Sequence, residues 1–197
     1  MKKNLFGEDI KPEPLDITEQ YVKDRDEIYF ADKAKRLKYL HKINPGGLIM
    51  SGPIEFVLTY REVQLCFIDG HFLATIVLAQ AFVEKLLHEH YNKLGFDTIA
   101  TKGLNAILQH ARKYKTISSF VVKNVDEIRL MRNPITHTKD ANYQYGLDKR
   151  SYNSKTSPFI QLEKDAKKAL EISTLLAAKD LTGLNSLAQA MHFSARL

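Results

Sequence analysis

Cysteine is almost missing from this chain. Cys66 is the only one in 197 residues, which excludes an internal disulfide and argues against a cysteine-based metal site. It lies in the apolar run from Val63 to Ile68, the setting of a buried structural thiol. Long hydrophobic runs are missing too. The greasiest stretch, Phe72 to Val83, is about twelve residues and contains Gln80, whereas a helix needs ~20 apolar residues to cross a bilayer. The start, Met1-Lys2-Lys3-Asn4-Leu5-Phe6, never builds the apolar stretch of a secretory leader, so a cytoplasmic protein without membrane contact is expected. Strand-type alternation is scarce, and no internal repeat or low-complexity tract stands out. Nor is there a glycine-rich phosphate loop, a Ser/His/Asp arrangement or a CxxC pair. No cofactor is expected.

What is present describes a folded, mildly basic domain. Hydrophobic residues make up 44% and charged residues 26%, and the chain is long enough to bury a substantial core. A formal charge of +6 permits an anionic partner without demanding one.

The pattern along the chain predicts helices almost throughout. Residues 1–15 are polar and carry Pro12 and Pro14, which reads as a tail. Asp16, with Glu19 three residues on, has the form of a capping box opening a helix that runs to about Lys42. Acids crowd its first half and bases its last part, an order that suits the helix macrodipole without any nucleic acid. Asn44-Pro45-Gly46-Gly47 ends it and marks the clearest boundary. The sequence therefore divides into an arm (1–50) and a bundle (51–197). Within the bundle, helices are expected over about 53–68, from His71 to Leu94, over about 102–115, and over about 119–132. After a polar loop (139–158), another spans about 161–179, and a short one covers 183–197. The second of these is apolar on nearly every face, as the central helix of a bundle must be. The expected architecture is all-α, an antiparallel helical bundle of about four core helices with an N-terminal helical arm.

One six-residue stretch carries chemistry: Arg132-Asn133-Pro134-Ile135-Thr136-His137. Proline lacks an amide proton and disfavours the α conformation in the residue before it, so a break is expected at Asn133. Asn133 then reads as an N-cap and Pro134 as the first residue of a new turn that carries His137. Free amides at such a break would help Arg132 hold a phosphate, and His137 can exchange a proton near neutrality. A decoy with the same spacing, Arg36 to His41, sits in a continuous charged helix whose two side chains diverge, and it is set aside.

This stretch resembles the signature of the HEPN superfamily, in which an arginine, often followed by asparagine, precedes a histidine by four to six intervening residues late in a helical bundle. The resemblance covers roughly residues 55–195. It implies a metal-independent endoribonuclease that acts on RNA as a homodimer, with an Arg/His pair from each chain lining a shared cleft. Such proteins occur in toxin–antitoxin and phage-defence systems, so an antitoxin or another protein partner is implied as well. The resemblance makes His137 the base for the ribose 2′-hydroxyl or a helper of the leaving oxygen, Arg132 the stabiliser of the charged phosphorane, and Asn133 the residue that orients the pair or caps the turn. One subfamily carries a modifiable tyrosine two places after the histidine. Lys139 occupies that position here, so that regulation is not supported.

Weaker candidates surround the motif. Glu84, a carboxylate inside the most apolar helix, either holds the Arg132 guanidinium or lies on a solvent-facing stripe with Gln80 and His88. His88 and His90 are two apart on a helix, share no face, and read as surface histidines rather than metal ligands. Lys139, Tyr143, Tyr145, Lys149 and Arg150, in the loop after the motif, interleave aromatic and basic residues as a single-stranded RNA platform does. The competing functional expectation is a non-catalytic HEPN-like module that binds RNA or a protein. A purely structural helical protein is the third.

Overall fold

The structure, a computed structural model, describes residues 16–45, 53–140 and 142–178. Those residues form eight α-helices and no strand, so the fold is all-α as the sequence predicts. They are α1 (Ile17–Ile43), α2 (Ile54–Asp69), α3 (Phe72–Lys93), α4 (Asp97–Ala100), α5 (Leu104–Tyr114), α6 (Ser119–Thr136), α7 (Leu147–Ser154) and α8 (Pro158–Ala178). The expected terminal helix over 183–197 lies outside the described residues, as does part of the boundary after Asn44.

The core forms around α3, whose Phe72, Ile76, Ala79, Phe82, Val83 and Leu87 are all buried. Helices α2, α6 and α8 pack against it. Phe72 meets Phe159 (ring centroids 5.4 Å apart) at one end. Further along, Tyr60 meets both Phe82 (5.2 Å) and Thr174, to which its hydroxyl donates at 3.0 Å. These contacts make α3 and α8 parallel, with α2 antiparallel to both. Helix α6 also runs against α8. Its Glu127 pairs with Lys168; beyond it, the Tyr143 hydroxyl reaches the Leu130 carbonyl, and Arg150 of α7 pairs with Asp165 of α8.

Helix α1 begins with the expected capping box. Asp16 accepts from the Glu19 amide at 2.7 Å, and Glu19 accepts from the Asp16 amide at 3.2 Å. Only its last part touches the bundle. Arg36 is buried, lies over the Phe72 ring and donates to the Ile68 carbonyl at 3.2 Å. Gly70 makes that approach possible: its φ of +81° suits glycine, and a Cβ there would meet the Arg36 guanidinium at 2.8 Å. Residues 16–32 are exposed throughout.

Two expectations need correction. The stretch 139–158 is not loop throughout, because α7 occupies 147–154. Helix α8 starts earlier than expected, at Pro158, with Ser157 accepting from the Ile160 amide at 3.3 Å. Serine as N-cap with proline at the first helical position is a start signal, since proline there forfeits only an amide that would be unpaired anyway.

Cys66 is half-buried, and burial together with nearby Glu62 and Asp69 raises its thiol pKa, so it is a poor nucleophile. Burial also raises the hydroxyl pKa of Tyr39, Tyr60 and Tyr91 above 10.0; for Tyr39 a hydrogen bond to the Glu171 carboxylate adds to the effect. A group whose folded pKa is raised contributes stability below its unfolded pKa and loses it as the pH climbs through the folded value. The protein is therefore expected to hold its stability up to about pH 10 and lose it steeply above. Urea unfolding at a series of pH values from neutral to alkaline checks this; a flat profile above the tyrosine range contradicts it.

Candidate active site

Helix α6 opens with Ser118, whose hydroxyl accepts from the Val121 amide at 3.3 Å. Val121, Val125 and Ile128 form its buried stripe, and Arg132 is the next residue on that stripe, one turn on. Here the structure overturns the expected break. The helix runs through Pro134 to Thr136, so Asn133 is not an N-cap and no new turn begins. Proline near the end of a helix removes one amide, the partner of the Leu130 carbonyl. The Tyr143 hydroxyl reaches that carbonyl at 3.5 Å and takes its place. One residue beyond the helix end, the His137 amide closes the last turn on the Asn133 carbonyl at 2.9 Å, and His137 itself is extended. The free amides expected to cradle a phosphate are therefore not there. The pair instead sits at the carbonyl end of α6, which favours cations.

Arg132 and His137 do meet. Arg132 Nη1 lies 3.3 Å from His137 Nε2. A guanidinium has only donors, so in a hydrogen bond between them Nε2 is the accepting atom. His137 is exposed, whereas Arg132 is half-buried, with its Nε enclosed and without a hydrogen-bond partner among the described residues. The guanidinium is thus gripped by the bundle at its root and offers its tip to solvent beside the imidazole. Asn133 is half-buried next to them. The decoy pair is apart in role as well as sequence: Arg36 is a packing residue, and His41 is exposed.

Glu84 fits neither of its expected roles. It is half-buried, accepts from the Leu104 amide at 3.1 Å and from Gln80 at 3.3 Å, and so caps the start of α5. No ion pair joins it to Arg132 among the described residues. Gln80 is buried rather than on a solvent stripe, and His90 is buried edge-on to Tyr91. Their positions follow from α3 being enclosed on nearly every side. No three His, Cys, Asp or Glu side chains are grouped to hold a metal ion among the described residues.

The aromatic and basic residues after the motif separate into two sets. Lys139 is exposed and lies over the Tyr143 ring, whose centroid is 5.7 Å from that of Tyr145. These three form a short cluster after His137, in which Lys139 is exposed and the two tyrosines are half-buried. Lys149 is exposed on α7. Arg150 does not belong with them: it pairs with buried Asp165 at 2.6 Å and donates to the Tyr145 carbonyl at 3.0 Å. Its expected RNA contact is replaced by a structural one, because α7 folds back onto α8.

Sequence reasoning missed one cleft. Tyr145 and Leu130 share a hollow of about 580 Å³ with Ile117 and Val122, rimmed by Arg112, Lys115 and Lys123. Asp126, which Arg112 and Arg129 both hold, lies on the same wall. The basic residues come from the end of α5 and the start of α6, where each alone resembles any surface cation, so no local signal points to them.

Compared with protein-family models, curated proteins and solved structures, the chain matches none.

Proposed function

We propose that this chain is a HEPN-type endoribonuclease that cleaves RNA without a metal ion, with Arg132 and His137 as its reacting pair. The observation that carries this reading is the 3.3 Å contact between Arg132 Nη1 and His137 Nε2 at the exposed end of α6. A phosphodiester entering there takes over the guanidinium donors, which match two phosphate oxygens. That frees the Nε2 lone pair to accept the proton of the ribose 2′-hydroxyl. The 2′-oxygen then attacks phosphorus, the bond to the 5′-oxygen breaks, that oxygen takes a proton from water, and His137 returns its own proton to solvent. The products are a 2′,3′-cyclic phosphate and a 5′-hydroxyl. Arg132 stabilises the charge that builds on the phosphorane oxygens. DNA, lacking the 2′-hydroxyl, is inert. The Lys139–Tyr143–Tyr145 cluster is placed to stack neighbouring bases. A role as a toxin or phage-defence effector, restrained by an antitoxin or other protein, follows the same resemblance and shares its footing.

The test is direct. Purified protein with end-labelled single-stranded RNA in EDTA should give fragments with cyclic-phosphate ends, and substituting deoxyribose at the cleaved position should stop the reaction. Intact RNA across diverse sequences, with folded protein, would sink the reading.

One observation favours a second reading, a non-catalytic module that binds RNA. At the carbonyl end of α6, a phosphate meets side chains but no free helix amides. On that reading Arg132→Ala weakens RNA binding, measured by fluorescence anisotropy, and there is no cleavage to lose.

A further inference from the structure

The first half of α1 projects beyond the bundle, and none of the other described residues packs on it. Lys33 meets Asp69, Arg36 meets Ile68, and Tyr39 meets Phe67, so the helix enters the bundle from the end that carries the α2–α3 turn. The four turns before Lys33 lie outside, and they expose large apolar side chains: Ile17 is 91% and Ile28 is 74% exposed. An isolated helix of this length is marginal in water without a partner.

One stripe of α1 specifies that partner. From Ile17, alternating steps of four and three residues pass through Tyr21, Asp24 and Ile28 to Ala31, then through Lys35 and Lys38 to Lys42. Every residue on this stripe is exposed, including those in the half that packs on the bundle through Arg36 and Leu40. The spacing is that of a coiled-coil seam. Its charge is divided: over residues 16–32 the helix has six acids against two bases, and over residues 33–42 it has five Lys or Arg and no acid. A parallel copy would set like charge on like. An antiparallel copy would set acid on base.

We propose that α1 pairs with α1 of a second copy of this chain as an antiparallel coiled coil, crossing between Ile28 and Ala31. In that register Ile28 of each chain packs on Ala31 of the other. Asp24 faces Lys35 of the other chain, Tyr21 lies along the stem of Lys38, and Ile17 lies along that of Lys42. Flanking the seam, Arg25 faces Asp32. Each of these contacts occurs twice by symmetry. The two bundles then sit on opposite arms, with the ends that carry the α2–α3 turn facing each other. This inference does not depend on the ribonuclease reading.

Charge reversal tests both the pairing and its register, with mass measured by sedimentation. The wild-type chain is expected to be a dimer at micromolar concentration. Asp24→Lys alone and Lys35→Asp alone each place like charges together twice, and each should weaken association on the order of tenfold. Mixing the two variants should restore the dimer, because both contacts in the mixed pair are again acid to base. Ile28→Asp, at an exposed site that folding does not need, should dissociate it. Three outcomes overturn the proposal: a wild-type monomer, which means another segment or partner covers the stripe; a dimer indifferent to all three changes, which means another face; or variants that fail to recover on mixing, which means another register.

Discussion

His137→Ala lowers RNA cleavage by about 10³-fold and leaves RNA binding unchanged, if the imidazole is the base. The magnitude is the usual contribution of a positioned acid–base group. It is expected in kcat rather than in affinity, because the imidazole acts on a proton that moves only during reaction. Stability offers no alternative explanation for such a loss. His137 is exposed, its side chain meets the tip of Arg132, and surface changes of this kind usually alter stability by less than about 0.5 kcal/mol. Arg132→Lys separates the two members of the pair. It keeps the charge but loses the planar fork, so cleavage should fall while salt-dependent RNA binding largely persists. Single-turnover cleavage together with anisotropy measures both quantities. An His137→Ala protein that retains a tenth of the activity would remove this residue from the chemistry.

The second large effect is on folding. Arg150→Ala should cost about 3–5 kcal/mol of stability, because it leaves the Asp165 carboxylate buried without its counter-charge. Asp165 is only 4% exposed; one of its oxygens takes both Arg150 at 2.6 Å and Gln161 at 3.0 Å, and the other has no partner among the described residues. Removing both charges should be far milder. Arg150→Met with Asp165→Leu is expected to recover much of the loss, since an apolar pair of similar volume carries no desolvation cost. Urea denaturation of the single and double variants checks the ordering. If Arg150→Ala is nearly as stable as wild type and binds RNA poorly, Arg150 returns to the role its neighbours in sequence suggested.

That reassignment shows what local pattern conveys and what it omits. The helices of the bundle were legible because their apolar residues recur at helical spacing, and that spacing follows from the backbone alone. The capping box at Asp16 was legible for the same reason, since its partners are three residues apart. The proximity of Arg132 and His137 does not follow from their separation alone, since Arg36 and His41 are equally far apart along the chain; it depends on α6 ending at Thr136, with His137 extended beyond it. A proline read by itself ends a helix, yet α6 continues through Pro134 because the Tyr143 hydroxyl, thirteen residues from Leu130, replaces the lost donor. Arg150 and Tyr145 looked alike as RNA contacts, until Asp165 claimed one and left the other on the wall of a cleft. Glu84 read as a site carboxylate or a solvent-facing one, and became a cap for a helix twenty residues away. By itself the sequence determined the fold class and the core face of most helices, through apolar spacing set within a few residues. Tertiary structure alone decided which polar groups remain free, because each bond that occupies one is made by a residue brought near only when the helices pack.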